Sequence, residues 1–65
     1  MRLILRLPER KELELSGGRP LRAILEEAGV NPETVVAIRN EELLTLEDWV
    51  GEGETVEVLS AISGG

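Results

Sequence analysis

The chain has 65 residues, thirteen acidic against seven basic side chains for a net charge of −6, no Cys, no His, and Trp49 as its only aromatic. That length allows one domain with a small core, and the missing Cys and His exclude disulfides, Cys/His zinc sites and imidazole or thiolate catalysis. The negative charge opposes direct nucleic-acid binding and suits a basic partner, while one aromatic cannot build a base-stacking platform.

Met1, Leu3, Leu5 and Leu7 alternate with Arg2, Ile4 and Arg6. This period of two predicts a half-buried strand, with Ile4 the apolar exception on its outer face. Pro8-Glu9-Arg10-Lys11 reads as a turn, and Leu13 and Leu15, flanked by Glu12 and Glu14, resume the alternation, so a hairpin is predicted. Arg2 and Arg6 are expected to face Glu12 and Glu14 across it, at roughly 0.2–1 kcal/mol per pair. The first residues are too interrupted by Arg for a signal peptide, and no apolar run approaches membrane-span length. A cytoplasmic location is the expectation. The high charge, absent Cys and preference for Arg over Lys are traits of thermophilic proteins.

Ser16-Gly17-Gly18 ends the second strand. Pro20 fits the first position of a helix, where its missing N–H costs nothing. Leu21, Ile24, Leu25 and Ala28 then recur at i, i+3, i+4 and i+7, one apolar helix face. Gly29 is placed to end that helix in a left-handed conformation with Val30 as the apolar contact beyond it, whereas Arg19 stands where a Ser or Asp N-cap is wanted. Asn31-Pro32 marks a loop. The run Val35-Val36-Ala37-Ile38 predicts a strand buried on both faces. Arg39-Asn40-Glu41 turns the chain, and Leu43 and Leu44 suit a short strand. Thr45-Leu46-Glu47-Asp48 matches a capping box, predicting one helical turn through Trp49 and Val50 that Gly51 stops. Gly51-Glu52-Gly53-Glu54 is a turn, and Thr55 to Leu59 alternate as the last strand, with Val56 and Val58 inward. The predicted order is β-β-α-β-β-turn-β, an α+β domain over residues 1–59 in which one helix covers one face of a mixed sheet, followed by a tail over 60–65. Leu3, Leu5, Leu13, Ile24, Leu25, Val56 and Val58 are the expected core.

Little in this chain can act as a self-contained active site. Gly17-Gly18 and Gly51-x-Gly53 lack both the Lys-Ser/Thr of a P-loop and the spacing of a dinucleotide fingerprint, so they read as turns. The pairs Glu26-Glu27, Glu41-Glu42 and Glu47-Asp48 would need to converge in a shielded cleft to hold a metal or move protons. Neighbours on a helix do not face each other, and the pairs read as a solvated acidic face. The expectation is a protein that is not an enzyme and carries no metal or cofactor.

The distinctive feature is the end of the chain, Ser63-Gly64-Gly65. By itself it could be a frayed terminus. A carboxylate is a poor electrophile and must be activated, for example as a mixed anhydride with AMP, before it can donate its acyl group. Residues 60–65 extend to roughly 20 Å, enough to thread another protein's cleft, and glycine lets the backbone pass where a Cβ would block it. Ile62 is the one large residue of the tail and a candidate anchor in a groove. Beyond Ile62 the tail is expected to be mobile in the free protein.

The element order, the short length, the acidic body and the terminal Gly64-Gly65 together resemble the ubiquitin-like β-grasp sulfur carriers, the ThiS/MoaD-like family, over the whole chain. The resemblance implies a β-grasp fold and an E1-like activating enzyme that adenylates Gly65. The acyl group then becomes a thiocarboxylate fed by a sulfur donor such as a cysteine desulfurase. Gly64 and Ser63 would give the tail access. Leu5-Arg6-Leu7-Pro8-Glu9-Arg10-Lys11 with Leu59-Ser60-Ala61-Ile62-Ser63-Gly64-Gly65 is most similar to the Thermus-type carriers of tRNA 2-thiouridine synthesis. This implies a tRNA thiolation enzyme as acceptor and, in that group, conjugation to target-protein lysines as well. Carriers for thiamin or molybdopterin synthesis are the alternative, although the Asn-Gly-Glu-like turn of thiamin carriers is replaced here by Pro8-Glu9-Arg10-Lys11. A β-grasp binding module with an incidental diglycine is another. The carrier is expected to be monomeric. If the first and last strands are neighbours, as the family fold implies, Ile4 and Leu59 form an exposed apolar docking patch near the tail, joined by Ile62 and by one of Leu43 and Leu44, with Leu44 the candidate.

Overall fold

The computed structural model describes residues 1–62. Strands β1 (Arg2–Arg6) and β2 (Arg10–Glu14) form the expected hairpin, and the helix α1 (Leu21–Glu27) follows a two-residue strand β3 (Arg19–Pro20). A single 3₁₀ turn (Pro32–Thr34) leads into β4 (Val35–Arg39), then β5 (Glu42–Leu44), the two-residue β6 (Trp49–Val50) and β7 (Thr55–Ser60). The main sheet has the order β2-β1-β7-β4-β5. Only β1 and β7 run parallel, and every other pair in it is antiparallel. The mixed sheet packed on one helix is the β-grasp arrangement expected from the sequence.

Alternation decides which face is buried. Leu3 and Leu5 on β1, Val56 and Val58 on β7 and Ala37 on β4 point to one side, where they meet Leu21, Ile24 and Leu25 of α1 together with Met1 and Val50. Of the expected core only Leu13 is half-buried, because β2 is an edge strand that the short helix does not reach. The expectation that Val35 to Ile38 are buried on both faces is corrected. Ala37 alone is fully buried, and Val36 is 36% exposed, since none of the described residues covers the far side of the sheet.

The helix ends as predicted and starts differently. Gly29 has φ 77°, its N–H donates to the Glu26 carbonyl, and the Val30 N–H donates to the Leu25 carbonyl, a Schellman closure. Pro20 is not the first helical residue. It lies outside the helix with ψ 152° and pairs with Trp49 in the small β3–β6 sheet. No side chain among the described residues caps the start of the helix. Its first N–H groups are taken by a distant loop instead, Leu21 donating to the Asp48 carbonyl and Arg22 to the Leu46 carbonyl, both at 2.9 Å. That explains the second correction. Asp48 Oδ2 does accept the Thr45 N–H at 2.7 Å, as in a capping box, but no helical turn follows. The segment turns its carbonyls toward α1, Val50 enters the core, and Trp49 remains 63% exposed. The Asn31-Pro32 loop is likewise tightened into the 3₁₀ turn, with Asn31 Oδ1 accepting from the Glu33 N–H.

Candidate functional site: the tail root and the open sheet face

The tail leaves the body from β7, the strand at the centre of the sheet. Ser60 still pairs with Val35 of β4, and the Ala61 N–H donates to the Thr34 carbonyl at 2.9 Å. The Ser60 hydroxyl donates to the Ile62 carbonyl at 3.1 Å and accepts the Ile62 N–H at 3.2 Å, a local turn that sets the direction of exit. The chain is therefore held through Ile62 by backbone and hydroxyl bonds rather than by packing. Gly65, Gly64 and Ser63, the residues expected to be modified and to give access, lie outside the described residues, as does the expectation of mobility beyond Ile62.

Ile62 is 54% exposed and borders a groove of about 840 Å³ at the end of the sheet where α1 stops, together with Leu5, Leu7, Pro8, Ala28 and Val30. It does not share a face with Ile4 and Leu59. Those two project from the uncovered side of β1 and β7, as expected, and both are half-buried. The strand register builds one continuous row across that side, Glu12–Ile4–Glu57–Ile38–Leu43. The neighbouring row is Arg10–Arg6–Leu59–Val36. Leu43, 70% exposed, is the β5 member of this face. Leu44 lies opposite Ala37 and packs against the core instead. The apolar centre thus consists of Ile4, Val36, Ile38, Leu43 and Leu59. Val36 and Ile38 were hidden in the sequence by the unbroken apolar run, in which period two cannot be seen.

Charge frames the face. Glu57, in the middle row, is ion-paired to Arg6. Arg2 lies 3.4 Å from Glu14 and 3.6 Å from Glu12, while Arg10 takes Glu12 at 2.7 Å. Arg6 therefore reaches across to β7 rather than to the hairpin acids expected for it, because the parallel pairing puts Glu57 beside it. An apolar centre with a polar rim is the composition of a docking surface. The two carboxylates with depressed pKa values lie elsewhere. Glu52 is held below the usual range first by the Gly17 N–H and then by the Met1 amine, and Glu54 first by the Gly51 N–H and then by Arg39. Both are structural clamps on turns. Glu26, Glu27, Glu41 and Glu42 are exposed. Among the described residues no group of three or more acidic residues is placed to hold a metal ion, and no helix is long and apolar enough to cross a membrane.

Comparison with known proteins completes the picture. The model of the ThiS family matches residues 3–65. The chain is 74% identical over 65 residues, the full length of both chains, to a protein of Thermus thermophilus named sulfur carrier protein TtuB. It is 41% identical over 58 residues, 88% of this chain and 85% of the other, to an uncharacterized protein of Archaeoglobus fulgidus.

Proposed function

The chain belongs to the ThiS family, and from that premise we propose that it is a sulfur carrier whose Gly65 carboxylate is activated, sulfurated and used to thiolate uridine in tRNA. The observation that carries this reading is the 74% identity, over the full length of both chains, to a protein named as a sulfur carrier. In the proposed cycle the Gly65 carboxylate oxygen attacks the α-phosphate of ATP on an E1-like enzyme and pyrophosphate leaves. The persulfide of a donor such as a cysteine desulfurase then displaces AMP to give an acyl disulfide, and a thiol that is itself oxidised to a disulfide reduces it, releasing the thiocarboxylate that a tRNA thiolation enzyme consumes. The carrier is a substrate in each step and supplies no catalytic group.

The division of labour supports this reading. The open face of β1, β7, β4 and β5 offers an apolar docking surface, with Leu59 on the strand that carries the tail and Ile4 on the strand next to it. Ser63 and Gly64 present no side chain large enough to block a cleft. Transfer of the activated acyl group to lysines of target proteins belongs to the same proposal, since an amine can replace the sulfur nucleophile.

The test uses the full chain, its activating enzyme, ATP and a sulfur donor. The expected product is heavier than the starting protein by the difference between sulfur and oxygen. Deleting Gly64 and Gly65 is expected to leave the thermal melt unchanged and to abolish both adenylation and thiocarboxylation. Normal 2-thiolation of tRNA in cells carrying only the truncated protein would refute the assignment to that pathway.

A further inference from the structure

We propose that the end of the domain around Trp49 docks on a cationic, arginine-bearing segment of a partner protein, with an arginine of that partner stacked on the indole. This docking is separate from the open sheet face and does not depend on activation at Gly65. The charge of the chain is concentrated at this end. Residues 39–54 hold six acidic side chains against Arg39 alone, a net −5 of the chain's −6. Arg39 is already engaged, since its guanidinium donates to the Trp49 carbonyl at 2.9 Å and pairs with Glu54 at 2.8 Å. Glu42 stands opposite Arg39 in the β4–β5 register. Among the described residues neither Glu41 nor Glu42 has an ion pair. Asp48, next to Trp49, uses one carboxylate oxygen to accept the Thr45 N–H. Such a field attracts a basic partner and repels nucleic acid, an anionic membrane and the same end of a second copy.

Trp49 supplies the contact that charge lacks. It is the chain's only aromatic, the core is built without it, and it is 63% exposed. The backbone beneath it is fixed on both sides. The Asp48 carbonyl takes the Leu21 N–H at 2.9 Å, the Val50 carbonyl takes the Gly18 N–H at 2.6 Å, and Val50 is fully buried. The indole is thus presented by an anchored segment, with half-buried Pro20 across the β3–β6 pair as its apolar neighbour. An indole among carboxylates offers its face to a guanidinium, while the flanking acids pair with neighbouring cations. Trp and Arg are also the residues that most often dominate an interface. Pro20 immediately precedes α1, and the root of the tail adjoins the groove where α1 stops. The seven residues of the helix span about 10 Å, so Trp49 and the tail root lie at opposite ends of it and are open to different partners.

The full chain is titrated with a peptide of alternating arginine and glycine, and with the matching lysine and citrulline peptides, at low and at high salt. Trp49 emission and backbone amide NMR shifts are followed. The expected result is saturable binding of the arginine peptide that perturbs Trp49 emission and shifts the amides of residues 39–54. Binding of the lysine peptide should be roughly threefold weaker, that of the citrulline peptide absent, and high salt should weaken both cationic peptides. Trp49→Ala is expected to melt like the parent and to weaken the arginine peptide roughly tenfold, read from the amide shifts. Glu41→Gln with Glu42→Gln should weaken it as well, whereas Glu33→Gln, at an exposed acid outside the segment, should not. Equal binding of the arginine and lysine peptides, undiminished in Trp49→Ala, would show bulk charge attraction alone and overturn the proposal. So would amide shifts confined to the open sheet face, tRNA binding at the same residues, a dimer that Trp49→Ala dissolves, or no binding of the arginine peptide at low salt.

Discussion

Two glutamates show how single residues hold this small domain's turns. Glu52 accepts the Gly17 N–H at 2.9 Å and reaches the Met1 amine, tying the end of the hairpin to the loop before β7. Glu54 accepts from Gly51 at 3.2 Å and from Arg39 at 2.8 Å. A carboxyl with a depressed folded pKa stabilises the fold above its unfolded value, near 4.3, and loses that contribution as pH falls through the lower folded value. Glu52→Gln and Glu54→Gln are accordingly expected to melt below the parent at pH 7, with the gap narrowing in thermal melts taken down through pH 4 to pH 3. A gap that stays constant would show that charge is not what Glu52 and Glu54 contribute. Gly17 makes a different demand. A Cβ there would stand 2.6 Å from the Gly51 carbonyl and the Glu52 nitrogen, all backbone atoms. Gly17→Ala should cost about 1–3 kcal/mol in urea unfolding, as overpacking against rigid neighbours does.

Among the elements, α1 shows how a short helix can be stable only in context. Seven residues make two turns, too few to persist alone in water, and no side chain among the described residues caps the start. Packing and borrowed carbonyls from the loop before β6 supply what propensity lacks. Ile24 and Leu25 are fully buried against β1 and β7. Ile24→Ala is expected to cost on the order of 2–5 kcal/mol, comparable with the whole stability of a domain this size. A variant with an unchanged urea midpoint would contradict the central place given to α1. The hairpin is secured more weakly. Its ion pairs are exposed and contribute roughly 0–1 kcal/mol each, so β2 holds mainly through its ladder with β1.

For the molecule as a whole, the single helix divides the sheet into a covered and an open side. The open side carries Ile4, Val36, Ile38, Leu43 and Leu59. The tail leaves from the same central strand, whereas exposed Trp49 lies beside Pro20 at the other end of the helix. Leu59→Ser and Leu43→Ser are expected to raise KM for adenylation by roughly tenfold, about 1.4 kcal/mol of docking energy. The value of kcat and the melting temperature should stay close to the parent's. Trp49→Ala should leave KM unchanged. If Trp49→Ala weakens docking and the leucine variants do not, the activating enzyme uses the other pole.

Local pattern was enough for much of this protein. The alternation at Met1 to Leu7 and Thr55 to Leu59, the helical spacing of Leu21, Ile24, Leu25 and Ala28, and Gly29 as the helix stop all express preferences within a few residues, and each appears in the fold. The family was legible too, because the diglycine and the element order sit in the chain itself. Other outcomes depend on residues far apart in sequence. The Thr45–Asp48 box forms one of its bonds yet starts no helix, because the Leu46 and Asp48 carbonyls serve α1 and Val50 completes the core. The apolar run at Val35 to Ile38 carries no sign of which face is bare. Only the placement of one helix on one side of the sheet exposes Val36, selects Leu43 over Leu44 and joins them to Ile4 and Leu59. Arg6 takes Glu57 rather than a hairpin acid because β1 and β7 are parallel neighbours, a pairing across more than fifty residues that short-range preference cannot specify.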